Sequence, residues 1–269
     1  MTAVDIFQDI NHVWLNITFE LKKHWNRRRI AYMAILAILL PLLFYVVPPA
    51  FGNDYSETAN QFATINLNFV TLLVIISAAM FAGDAISSEF ENKTGLLLFP
   101  TPQRKTSIFV GKYTAALLAT WFTVMLYYMV TALEIGGIYG FDEISVEFAQ
   151  SLGLSLLYSM AAVSVAYFFS SLMKRTITST LLGFFFLMMI MPIFQTVMIA
   201  VDVEPWFMVT YSADLITNVF GGGSPAFGPG SDFANIYEPE LNLGIYVMLA
   251  YALVLGIVSI FWANNRKME

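Results

Sequence analysis

Six stretches of the chain, 30–47, 62–83, 107–133, 150–173, 176–201 and 243–263, are each apolar over about the length of a helix that crosses a hydrocarbon core. Folding six such stretches in water would demand a polar coat, and the chain has too little material for one. Only 12% of its 269 residues are charged and 58% are hydrophobic, with a mean hydropathy of +0.69. In lipid a helix satisfies its own backbone hydrogen bonds, so the expected fold is an all-α integral membrane protein. There is no cysteine, which excludes disulfides, zinc–thiolate sites and cysteine nucleophiles.

The basic residues give these runs a direction. Lys22, Lys23, Arg27, Arg28 and Arg29 precede the first run, and Lys93, Arg104, Lys105 and Lys112 lie between or beside the second and third. Lys174 and Arg175 separate the fourth and fifth, and Arg266 and Lys267 follow the sixth. All 13 Lys and Arg therefore share one side of a six-span alternation, while the charged residues in the loops of the other side are all Asp or Glu. A wrong span count would scatter them. By the positive-inside rule both termini are cytoplasmic, and the chain is expected to be a multi-pass protein of the cell membrane.

Residues 1–29 are too polar to span and are expected to form a cytoplasmic interfacial helix ahead of a transmembrane domain over 30–265. Ile6, Ile10, Val13, Ile17 and Leu21 share a stripe with Phe7 and Trp14 beside it, opposite Asp9, Asn16, Glu20 and Lys23. That pattern predicts a helix whose stripe faces the acyl chains. Pro41 and Pro192 are expected to kink the first and fifth spans. In the long outer loop 202–242, Pro205 opens an apolar stretch, 206–220, too short to span and suited to a re-entrant or interfacial helix. The glycines of 221–230 read as a flexible connection; no Lys follows to make a phosphate loop.

No Asp, Glu, His, Lys or Arg is expected near the centre of a span, and Lys112, just inside the third, is expected to snorkel to the interface. Without buried acid–base groups, the Ser and Thr of the spans read as packing and hydrogen-bonding residues, and no catalytic or metal-binding residue is assigned. There is no GxxxxGK[ST] motif, so uphill work would draw its energy from another subunit.

One polar stretch between the second and third runs, residues 84–112, reads DAISSEFENKTGLLLFPTPQRKTSIFVGK. Ser88 with Glu91 forms a capping-box pattern for a short helix, which another reading starts at Asp84; Pro100 and Pro102 stop any continuation. Thr106 or Ser107 is placed to cap the third span. Glu89 and Glu91 either project towards a soluble partner or belong to a solvated loop.

The arrangement of Asp84, Glu89, Glu91, Thr94, Gly95, Leu97, Leu98, Pro100, Arg104, Gly111 and Lys112 resembles the cytoplasmic loop of type-2 ABC-transporter permeases, exporters with six spans per subunit. The resemblance implies a coupling helix within 84–106 that docks on a cytosolic ATP-binding subunit, with Asp84, Glu89, Glu91, Thr94, Gly95, Pro100, Arg104 and Lys112 as coupling residues. It further implies that ATP and Mg are bound by that partner, with no cofactor in this chain. The permease subunits would pair as a homodimer or heterodimer in the lipid bilayer, with no nucleic acid involved. The alternative is a non-transporting membrane scaffold or sensor that docks a cytosolic partner.

Overall fold

A computed structural model describes residues 3–52, 54–94, 103–221 and 237–266, and every regular element among them is helical. Helix α1 (Ala3–Asn26) ends at a left-handed residue, Arg28 (φ 57°), which redirects the chain into α2 (Arg29–Ala50). α3 (Ala59–Ala82) is capped by Thr58, whose hydroxyl accepts the Gln61 N–H at 3.3 Å. The short α4 (Ser87–Glu91) precedes the long α5 (Lys105–Ile138). A 3-10 turn, Phe141–Glu143, leads into α6 (Val146–Leu172). Next come α7 (Thr176–Phe185), a π-helical turn (Phe186–Ile190) and α8 (Met191–Ala200). The chain continues through α9 (Val209–Ala213), α10 (Leu215–Asn218) and α11 (Leu241–Asn265).

Six helical segments, α2, α3, α5, α6, α7–α8 and α11, are long and apolar enough to cross a membrane. α3 and α6 form the centre of the bundle; α2, α7–α8 and α11 leave most of their surface uncovered. Lipid offers helices no hydrophobic drive towards one another, so close packing and hydrogen bonds hold them. Ala161, Ala162 and Ala166 of α6 are fully buried, and a Cβ on Gly183 of α7 would lie 3.3 Å from the Ala166 backbone. Tyr113 on α5 meets the Ser164 hydroxyl at 2.8 Å, and Ser164 lies 2.9 Å from the Ala252 carbonyl, joining α5, α6 and α11. Tyr167 donates to the Phe109 carbonyl at 2.8 Å, and the Trp121 indole to the Leu156 carbonyl at 3.1 Å.

Several boundaries move from their expected places. α2 passes through Pro41 and takes Pro48 and Pro49 into its last turn, whose carbonyls accept the Phe51 N–H. Near Pro192 the fifth span widens into the π turn, where the Met191 N–H reaches back to the Phe186 carbonyl. A proline ring clashes with the carbonyl four residues before it, and an extra residue in the preceding turn gives that carbonyl room. α5 runs five residues past 133, which puts Glu134 inside the helix and not in the loop. The stretch 206–220 holds two short helices, α9 and α10, that are buried and pack on α6 and α11. The glycine-rich 222–230 lie outside the described residues.

Candidate functional site

The loops that carry Lys and Arg meet at one end of the bundle, around α4. At the foot of α3, a Cβ on Gly83 would stand 3.0 Å from the Thr180 backbone of α7, so glycine permits that close approach. Ser179 donates to the Gly83 carbonyl at 2.6 Å. The Ser170 hydroxyl of α6 accepts the N–H groups of Ile86 and Ser87 at 2.9 and 3.1 Å, so the start of α4 is capped from a different helix. The expected Ser88–Glu91 capping box does not form. The Ser88 hydroxyl is buried without a partner among the described residues, and the Glu91 carboxylate accepts the Thr176 N–H at 2.7 Å, capping α7 instead. That bond holds the exposed Glu91 carboxyl below its ordinary value. Likewise neither Thr106 nor Ser107 caps α5; Arg104 occupies the cap position and pairs with Asp9 at 2.9 Å.

Two acids of the polar stretch turn inwards. Asp84 receives the Arg29 guanidinium in a two-pronged contact at 2.8 and 2.5 Å, with Arg27 at 3.8 Å, and Arg29 also donates to the Met80 carbonyl at 2.8 Å. Glu89 accepts Lys112 at 2.7 Å and the Thr94 hydroxyl. Lys112 does not snorkel: it is 4% exposed, and its ammonium also meets Glu20 of α1 at 3.2 Å. Glu20 in turn takes Lys23 at 2.5 Å. Burial pushes the Glu20 carboxyl up, but Lys112 and Lys23 together hold it down at about 2. Glu89 is likewise held below its ordinary value, against its burial, by Lys112 and Thr94. Phe90 lies beneath the Arg266 guanidinium at 4.2 Å, which donates to the Ser171 and Met173 carbonyls at 2.7 and 3.0 Å.

The charge network draws the polar side of α1 onto the bundle and leaves much of its apolar surface uncovered. Glu20 and His24 are buried and Asn16 reaches Gln103 at 3.0 Å, whereas Ile10, Trp14, Leu15, Phe19 and Trp25 are exposed. Of the Ile/Val stripe, Ile17 is buried and Ile10 is not. The polar side is drawn in because Lys112 and Gln103 need partners, and Gly111 lets α1 approach: a Cβ there would stand 2.6 Å from the Asn16 Cβ.

The structure thus brings Asp84, Glu89, Glu91, Thr94, Arg104 and Lys112 to one end, while Gly95 and Pro100 lie outside the described residues. Exposed at the tip are Glu91, Asn92, Lys93 and Thr94. Glu20, Arg29, Ser170, Ser179 and Arg266 escape the sequence reading. The one available signal is that a lysine inside an apolar run needs a countercharge, and Glu20 lies 92 residues away from it.

Residues 16–190 match a family model described as ABC-2 family transporter protein, well over half of the chain. The chain belongs to the ABC-2 transporter family. The match contains α3 through α6 whole, so the α4 region of this ABC-2 chain sits at its centre. Six apolar helices and ABC-2 membership together make the chain a multi-pass membrane subunit. No curated protein matches the ABC-2 chain.

Proposed function

We propose that the chain is the permease subunit of an ATP-driven exporter, with α4 as the element through which a separate ATP-binding subunit acts. In this reading the basic end and both termini face the cytoplasm, and ATP and Mg are held by the partner. Two copies, or one copy and a related subunit, enclose the substrate path. The observation that carries the reading, beside the family, is the way α4 is tied in. Five residues are bonded to α5, α6 and α7 and covered by the residue that follows α11. A load applied there reaches the spans at once instead of dissipating in a loop.

The contact also takes a different form from docking through free carboxylates. Glu89 is committed to Lys112, so the surface available to a partner is the tip, Glu91 to Thr94. The chain has no native cysteine, so Asn92→Cys carries a cross-linker without background. Cross-linking in native membranes is expected to capture a protein that binds ATP and whose hydrolysis rises when the complex is reconstituted. Capture of a partner without ATPase activity would favour a scaffold and sink the exporter reading.

A further inference from the structure

At the opposite, acid-rich end, one carboxylate has, among the described residues, a partner for only one of its two oxygens. Glu134 of α5 is 7% exposed, and Asn66 of α3, fully buried, donates to its Oε2 at 3.0 Å. Asn66 is fixed in turn by the Tyr127 hydroxyl, 2.8 Å from its side-chain oxygen and 2.7 Å from its carbonyl. Glu134 Oε1 is sealed from solvent and has no hydrogen-bond partner among the described residues. Nor does the chain offer it a cation, since every Lys and Arg belongs to the other side of the alternation. An ionised carboxylate buried in that condition costs several kcal/mol, a cost relieved by taking up either a proton or a cation.

Aromatic rings lie towards the end of the bundle from this group. Phe62 stands one turn from Asn66 on α3, its ring 6.0 Å from that of Tyr139 and 6.3 Å from that of Tyr55. The hydroxyls of Tyr55 and Tyr139 are already spent on the Tyr45 and Ser56 carbonyls, at 2.9 and 2.6 Å, so these residues present rings and not donors. Ring faces attract cations, whereas a hydrated metal ion wants six or more oxygens and finds here one free carboxylate oxygen.

We propose that Glu134, steadied by Asn66, together with the ring cluster of Tyr55, Phe62 and Tyr139 that begins one turn of α3 beyond Asn66, is a binding site for an organic cation, an amine or quaternary ammonium on an apolar body. Glu134 Oε1 is closed to solvent in this conformation, so binding requires the half-buried Tyr55 and Tyr139 to give way. That the cation is then carried rests on the permease reading; its binding does not.

The test is a titration of the full-length chain in lipid nanodiscs with ethidium, an aromatic cation, followed by fluorescence anisotropy, with tetraethylammonium as competitor. Saturable, competable binding is expected, weakened on the order of tenfold or more in Glu134→Gln. Gln keeps an oxygen for the Asn66 bond, and an unchanged melting temperature certifies its fold. Tyr139→Leu, which leaves the carboxylate in place, is expected to weaken binding several-fold. Equal affinity in wild type and Glu134→Gln, or equal binding of the anionic dye anilinonaphthalene sulfonate, would overturn the site. The assay needs no ATP and no partner, so its failure leaves the coupling reading standing, and failure of the Asn92 cross-link leaves this site standing.

Discussion

A lysine ammonium almost wholly removed from solvent loses several kcal/mol of hydration, and Lys112 recovers it only because Glu20 and Glu89 reach it from two other helices. Lys112→Met leaves Glu89 without a countercharge and Glu20 with Lys23 alone, and thermal melting in detergent should register a loss of about 3–5 kcal/mol. Combining it with Glu20→Gln and Glu89→Gln removes the stranded charges, and most of that loss should return; no recovery would mean that Lys112 acts through packing alone. His24 gives a second expectation. Its ring is fully buried, edge-on to Phe81 at 5.1 Å, and among the described residues neither nitrogen has a hydrogen-bond partner. Burial, helped by Arg29 and Lys23 and opposed by Glu20 and Asp84, lowers its pKa to about 4. A base lowered on folding leaves stability intact above its unfolded value of about 6.5 and removes it as pH falls towards about 4. The melting temperature should therefore drop on acidification from about pH 6.5 to 5, and in His24→Phe that segment of the curve should be flat. Both residues were legible as polar positions; the burial of His24 and the Glu20 partner of Lys112 were not, because a pairing across 92 residues has no local signature.

At the scale of elements, α1 shows what periodicity can and cannot convey. Its helix follows from the 3.6-residue pattern, but two faces carry apolar residues, and the pattern alone does not say which is covered. The choice falls to α5, where Gly111 removes the side chain that would hold α1 away and Lys112 supplies the charge that attracts Glu20. Gly111→Leu should push α1 off α5, costing about 1–3 kcal/mol in melting and making Glu20→Cys reactive to a thiol reagent. A protected cysteine in that double variant would contradict the close approach. α4 makes the complementary point: five residues do not hold a helix in isolation. Ser170, Ser179, Thr176 and Arg266, from other elements, complete it. Its existence in 84–106 was foreseeable from the prolines and the family resemblance; its inward-turned acids were not.

For the whole molecule, the one-sided charge pattern yields a topology that single cysteines can test. Glu57→Cys, Glu147→Cys and Asp232→Cys should react with an impermeant thiol reagent on intact cells, and Thr94→Cys and Lys267→Cys only after permeabilisation. Labelling of Thr94→Cys from outside would reverse the orientation. Six spans, their order and the gathering of basic residues at one end are properties of the sequence by itself, because apolar length and charge count need no neighbours to be read. Which helices form the centre, that Lys112 is buried and that Glu134 is left half-satisfied were decided only by the tertiary structure. The reason is physical: in an apolar bundle every span is equally soluble in lipid. Small-residue contacts and the few polar side chains that find one another across the chain then select the packing.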